Sequence, residues 1–444
     1  MNFWQNTFLR RILINVGALA GSSLWRILIS FGIQLFVARN LGLEALGQYT
    51  VALAYLNVSQ VISELGLPTL LTRDLAQFPE KQRSTYQLAL RIQLLASILV
   101  WVGLVLFAML LPFSDTMQMA LIVVGASLPF YAVTSASQTI FRASERMELV
   151  MIVEVVINTL ILGASASVLW WGGGIVAVLG VLVGTQLISA MMCVVLMSQL
   201  PNMHEIRAER PTLRQGCLSN YADAKSLLQR SMSFYGLALS DVLLNRMDIL
   251  LLGIVASEQV TGLYSAAYNL VRIILKLIQS YWQALYPTLS RVYQTQQVTI
   301  LTLTTGLHQS TEQTTQNGYG QLVYKTVSYS LIALSPVVIV SLLFAEPILA
   351  IVYRGQYPDA VAAFRVLSLS SPLFLIETYL ITRFMIESRV RQGLSVIGVH
   401  IGCVVVLLPL LSAFIGTLGA AWAVVIATLV GMVMGLWIQS VNRR

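Results

Sequence analysis

The chain has 444 residues, 57% of them hydrophobic and only 10% charged, where ordinary soluble domains carry about 25% charged residues. Its mean hydropathy of +0.77 excludes a water-soluble globule. The net charge of +8 does not point to nucleic acid, because the basic residues sit at the ends of apolar runs rather than along one stripe.

Apolar stretches of about 20 residues, enough helix to cross a hydrocarbon core of ~30 Å, fill nearly the whole chain. They run roughly over 15–38, 47–68, 87–111, 117–140, 149–171, 175–198, 230–255, 261–285, 323–345, 361–382, 393–413 and 418–439. The expected fold is therefore an all-α membrane protein with about twelve transmembrane helices. The first stretch follows Arg10 and Arg11 like a signal peptide, but it continues past Arg26 to Val37 without a small-residue cleavage site. It reads as a retained span. Residues 1–200 form a first six-span lobe, and 201–229 a polar cytoplasmic linker with both charge signs. Residues 230–444 form a second six-span lobe, with a flexible Thr/Gln-rich loop at 293–320. Cys193, Cys217 and Cys403 are far apart, odd in number and without metal spacing, which argues against a disulfide framework.

Lys and Arg alternate between the two sets of loops. One set holds Arg10, Arg11, Arg73, Lys81, Arg83, Arg142, Arg146, Arg207, Arg210, Arg214, Lys225, Arg291, Lys325, Arg383, Arg389, Arg391, Arg443 and Arg444, and the other only Arg39, Arg354 and Arg365. Basic loops stay cytoplasmic, so both termini are expected there. The halves also resemble each other. Gly47-Gln48-Tyr49 corresponds to Gly262-Leu263-Tyr264, and Pro68-Thr69-Leu70 to Pro287-Thr288-Leu289. Pro129 in span four corresponds to Pro372 in span ten, and Glu145-Arg146 to Glu387-Ser388-Arg389. Six spans per half give a pseudo-twofold axis along the membrane normal.

Charges inside a span are costly and tend to mark function. Arg26 lies in span one, Arg246 in span seven, and Arg272 and Lys276 in span eight, four residues apart on one helical face. Arg91 is near enough to its span end to snorkel. Cations lining a cleft between the halves would attract phosphate through charge-assisted hydrogen bonds; the alternative is that each pairs with a nearby acid. Asp241, Asn245 and Asp248 share one face of span seven, away from Arg246. Such a stripe either binds a coupling proton or Na⁺ or neutralises cations on a neighbouring helix. Glu64, Glu154 and Glu377 sit near cytoplasmic span ends, within reach of water or loop arginines. His400, midway in span eleven, reads as packed or hydrogen-bonded.

No enzyme chemistry is encoded in these motifs. There is no Gly-rich phosphate loop with Lys and Ser/Thr, no His/Cys cluster of metal spacing, and no Ser–His–Asp set among three scattered histidines. No catalytic residue, metal or cofactor is expected.

Three motifs carry a resemblance. The first is Val37-Ala38-Arg39-Asn40-Leu41-Gly42 followed by Leu46-Gly47-Gln48-Tyr49. The second is Ser63-Glu64-Leu65-Gly66-Leu67-Pro68 closed by Thr72-Arg73. The third is Arg246-Met247-Asp248-Ile249-Leu250-Leu251-Leu252-Gly253, then Thr261-Gly262-Leu263-Tyr264-Ser265-Ala266-Ala267. Here the chain resembles the bacterial polysaccharide-biosynthesis flippases, the O-antigen and exopolysaccharide translocases of the multidrug/oligosaccharidyl-lipid/polysaccharide exporter superfamily. The resemblance implies two six-helix lobes around a central cavity in the bacterial cytoplasmic membrane. It implies alternating-access movement of an undecaprenyl-diphosphate-linked oligosaccharide, coupled to an ion gradient. It assigns no substrate-binding role to the motif residues, which are mainly architectural. From their chemistry alone, Arg272, Lys276 and Arg26 are expected to hold the diphosphate, with Arg246 a further cavity cation. Asn57, Gln60, Asn245 and Asn269 are expected beside the sugars. The partners expected are the lipid-linked glycan, membrane lipids, and the polymerase and glycosyltransferases of glycan assembly. The rivals are a multidrug/cation antiporter of the same superfamily, a peptidoglycan-precursor flippase with two more spans, and a non-transporting scaffold for glycan assembly.

Overall fold

The computed structural model describes residues 25–77, 82–198, 216–304 and 318–441. All of its regular elements are helices, as expected where lipid offers backbone groups no partner. We number them α1 (residues 25–41), α2 (Leu43–Glu64), α3 (Leu67–Gln77), α4 (Gln82–Leu110), α5 (Asp115–Gly125), α6 (Leu128–Ala143), α7 (Met147–Trp170) and α8 (Ile175–Ser198). The rest are α9 (Gly216–Val255), α10 (Glu258–Thr304), α11 (Gly318–Leu343), α12 (Ala345–Tyr353), α13 (Ala360–Ile386), α14 (Val390–Ile415) and α15 (Thr417–Val441). Among the described residues, each expected span falls on a helix or a broken pair of helices, the first from residue 25 onward. Eight of these segments are long and apolar enough to cross a membrane.

The helix ends follow from local sequence. Ser114 accepts a hydrogen bond from the Met117 amide at 3.2 Å and starts α5, with Asp115 in the first turn. Pro129 lies inside the fourth span, Asp115–Ala143, in the first turn of α6 just after the chain breaks at Ala126–Ser127, where proline is suited. Pro372 does lie inside a helix, α13. Serine and threonine hydroxyls within the spans bond back to carbonyls one turn earlier, as at Thr50, Thr139, Ser341 and Thr428.

Two stretches expected as loops are helical where they are described. α9 already begins at Gly216, inside 201–229, and α10 runs on to Thr304, inside 293–320. Both extensions are polar, so their helicity leaves no mark on an apolar-run reading. Residues 199–215 and 305–317 lie outside the described set.

The helices divide into two compact units, Met1–Ile254 and Val255–Arg444. In the first, α6 packs on α2, α3, α4, α7 and α8, and α5 packs on α2, α4 and α8. Leu67, Leu70, Ile140, Phe141, Val150 and Cys193 fill its interior. α9 runs along α2 and α3. Val51 lies against Gly253, the Tyr55 hydroxyl donates to the Leu250 carbonyl at 3.2 Å, and Arg230 pairs with Asp74. In the second unit α13 is central and touches α10, α11, α12, α14 and α15. Gly431 and Gly435 let α15 approach it closely.

Candidate functional site

The spans that are not uniformly apolar stand out. α2, α9 and α10 lack a window apolar enough to count as a membrane crossing, and α1 is described only from residue 25. α2, α9 and α10 hold the second, seventh and eighth expected spans. The second and eighth occupy equivalent places in the two halves.

Arg272 and Lys276 occupy successive turns of α10 in the second unit, and both are half-buried. The Lys276 Nζ donates to Gln279 Oε1 at 2.7 Å, which holds its ammonium along the helix. Arg246, also half-buried, is on α9, and Arg26, exposed, is on α1, both in the first unit. Arg26 is within electrostatic reach of Tyr131 on α6. Its neighbour Trp25 donates through Nε1 to Thr159 Oγ1 at 3.3 Å.

The acid–amide–acid stripe of α9 is continuous. The Asn245 amide donates to the Asp241 carbonyl at 2.7 Å and to its carboxylate at 3.4 Å, and Asp248 is buried one turn on. Among the described residues no group of three or more His, Cys, Asp or Glu side chains is arranged to hold a metal ion. Of the amides expected beside the sugars, Asn57 donates to the Leu53 carbonyl on its own helix at 2.5 Å. Asn269 is 4% exposed, and both its amide atoms are buried without a partner among the described residues. A buried polar group left unpaired is expensive.

Two carboxylates differ from the sequence reading. Glu64, expected to look to water or loop arginines, accepts hydrogen bonds from the Tyr131 hydroxyl at 2.7 Å and the Ser135 hydroxyl at 2.6 Å, tying α2 to α6. Glu377, given the same expectation, is fully buried against His400, with Nδ1 at 2.9 Å from Oε1. The sequence held one signal for this pair. Glu377 and His400 lie eleven residues before and twelve after Ser388, the turn joining α13 to α14, so they reach the same depth.

The signature motifs prove to shape the backbone. Gly42 caps α2 with φ 89°, and Leu65 and Gly66 turn the chain from α2 to α3 with φ 52° and 72°. A Cβ on Gly66 would stand 2.4 Å from the Tyr235 nitrogen, so α9 passes directly over this turn. Tyr49 and Tyr264, equivalent in the two halves, are both buried.

A multidrug resistance transporter of the MATE family of the MOP superfamily, in an inward-facing conformation, is similar with a TM-score of 0.67. Its identity is 14%, over 94% of either chain. The lipid II flippase MurJ, in an inward closed conformation, is similar with a TM-score of 0.66 and 11% identity, over 95% of this chain and 87% of that one. A MOP superfamily transporter from Pyrococcus furiosus is similar with a TM-score of 0.54 and 14% identity, over 97% and 94%. At such identities the likeness shows a shared fold. Compared with the curated proteins, the chain has no match. Residues 12–293 match the sequence profile of the polysaccharide biosynthesis proteins. The match covers well over half of the 444 residues, and the chain belongs to that family.

Proposed function

We propose that this multi-pass membrane protein is a flippase for an undecaprenyl-diphosphate-linked oligosaccharide. It would work by alternating access in the bacterial cytoplasmic membrane, with both termini on the cytoplasmic side. The reading is supported by the family and by a fold shared with the lipid II flippase MurJ. The observation that carries it is the pair Arg272 and Lys276, two cations one turn apart and half-buried in a span. A diphosphate headgroup offers two adjacent anionic centres, and a guanidinium beside an ammonium matches them through charge-assisted hydrogen bonds. Arg26 and Arg246 would add positive potential on the first unit. Asn269, with both amide ends unpartnered, would meet sugar hydroxyls. The polyprenyl tail would remain in lipid. Movement between two conformations does not by itself give net export, so a gradient or consumption of the product must bias it.

The test is Arg272→Ala with Lys276→Ala, measured as surface polysaccharide at matched protein level. Loss of surface polymer by at least tenfold is expected, with partial recovery in the charge-keeping exchange Arg272→Lys with Lys276→Arg. Full surface polymer from the double alanine variant at normal protein level would remove the pair from the mechanism. A drug exporter of the same fold would instead leave surface polymer intact on deletion and raise drug susceptibility.

A further inference from the structure

Glu377 and His400 form a buried acid–base pair in the second unit that the substrate mechanism does not use. Glu377 is 0% exposed and His400 5%. His400 Nδ1 stands 2.9 Å from Oε1 and 3.2 Å from Oε2, so one ring nitrogen serves both carboxylate oxygens. α15 closes the site with a glycine: a Cβ on Gly431 would lie 2.2 Å from Glu377 Oε1 and 3.4 Å from His400 Cβ.

Most other titratable groups of the helices packed on the pair are exposed or engaged away from it. α15 contains no acidic, basic, histidine, cysteine or tyrosine residue. Its buried Thr428 uses its hydroxyl on the Val424 carbonyl at 2.8 Å. On α13, Tyr379 stands about 200° round the helix from Glu377 and packs on Trp282 of α10, ring centroids 5.4 Å apart. α10 thus meets α13 on the side away from Glu377 at this ring contact, and it also touches α15. Arg383 lies on the Tyr379 side and donates to Glu387 at 2.7 Å, while Arg365 is exposed near the far end of α13. On α14, Cys403 is half-buried one turn beyond His400, and Arg391 is exposed at the helix start. Lys325, Tyr324 and Tyr329 of α11 and Glu346 of α12 are exposed, and the Tyr353 hydroxyl donates to the Ala266 carbonyl at 3.0 Å.

We infer that Glu377 and His400 together form a proton-binding site that couples opening of the second unit to the proton gradient. The inference rests on the transport reading above for its biological use. Its chemistry stands on the pair. With one shared proton the pair is neutral overall, either as carboxylate and imidazolium or as carboxylic acid and imidazole. A second proton leaves a buried positive charge and loss of the first leaves a buried negative one, both costly away from water. The sealed pair therefore holds one proton. When α15 withdraws Gly431 and water enters, the proton is free to pass to water, and a proton from water on the other side resets the site. A sodium ion fits poorly, because hard cations take oxygen ligands. Here an imidazole nitrogen occupies the space beside both carboxylate oxygens.

The sign of the pH effect follows. Opened to water, the pair gives up its proton more readily as the pH rises, whereas the sealed pair keeps it, so alkaline pH favours opening, by up to about tenfold per pH unit for one proton. The experiment is hydrogen exchange of the full-length protein in lipid vesicles at about pH 5.5, 6.5, 7.5 and 8.5, corrected for intrinsic exchange. Protection of α13, α14 and α15 is expected to fall as the pH rises. The fall should vanish in the double variant Glu377→Gln with His400→Gln, whose amides keep a hydrogen bond but bind no proton. A level profile in the wild type, or a fall that survives in the double variant, would overturn the site. If the double variant does not assemble, the wild-type profile decides alone. The readout needs no transported lipid. Wild type that fails to flip a labelled diphospho-lipid glycan, yet keeps the pH response, would overturn the substrate reading and leave the proton site standing.

Discussion

Gly66 shows what the signature residues are for. Its φ of +72° lies where a side chain costs about 1–2 kcal/mol in the left-handed region. Its missing Cβ also faces backbone of α9, 2.4 Å from the Tyr235 nitrogen and 2.7 Å from the Ser231 carbonyl oxygen. Backbone cannot swing away as a side-chain tip does, so Gly66→Ala is expected to lower stability by at least about 2 kcal/mol, strain and displacement adding. Thermal unfolding in detergent checks it. Gly103, where a Cβ would meet nothing, serves as the control, and Gly103→Ala should leave the midpoint unchanged or slightly raised. A glycine in a turn between spans is legible in sequence as a turn, but the helix pressed onto it is not, because that neighbour lies about 170 residues away. The same limit hid the partners of Glu64 and Glu377. Burial of a carboxylate is visible in sequence only as an acid among apolar residues, and the tyrosine, serine or histidine that makes burial tolerable is chosen by packing.

At the scale of elements, the two halves reuse one turn. Between α6 and α7 the Arg146 amide donates to the Phe141 carbonyl at 2.8 Å, and between α13 and α14 the Arg389 amide donates to the Phe384 carbonyl at 2.8 Å. Glu145 and Ser388, at the same place in each turn, have φ of 57° and 59°. The matched proline and Glu–Arg motifs had pointed to this repeat, and the shared hydrogen bonds give it a physical cause: the same left-handed residue closes each preceding helix. Glu145→Gly and Ser388→Gly should each relieve about 1 kcal/mol of left-handed cost and raise the thermal midpoint. Glycine at the neighbouring Ser144 or Glu387, both with negative φ, should lower it. A drop at Glu145 and Ser388 would show that the turns are held in some other way. The repeat is imperfect where local chemistry differs. Pro68 follows the break between α2 and α3, whereas Pro287 lies within the unbroken α10. Hydropathy found the helices that are apolar over most of their length. It missed the polar starts and ends of α9 and α10, where helicity needs no lipid.

For the whole molecule, charge asymmetry is the global signal in the sequence, and it orients every loop at once. Each basic residue kept on the cytoplasmic side avoids moving a strongly hydrated cation through hydrocarbon, at a cost of ~2.5–3.5 kcal/mol near the membrane centre. Eighteen basic residues against three on alternate connections leave one orientation favoured. α6 and α7 are joined on the basic side, and so are α13 and α14, while the α12–α13 connection falls on the other side. Single cysteines placed in a variant lacking Cys193, Cys217 and Cys403 turn this into a measurement. Glu148→Cys and Arg391→Cys, both at exposed positions, should react with a membrane-impermeant maleimide only after the inner face is opened. Gln356→Cys, exposed between α12 and α13, should react in intact cells. Labelling of Glu148→Cys and Arg391→Cys on opposite faces would require an odd number of crossings between equivalent turns. Two halves entering the membrane from the same side need an even number, so the pseudo-twofold relation along the membrane normal would fall. With it would fall the expectation that Arg26 and Arg272, one in each half, act on the same headgroup.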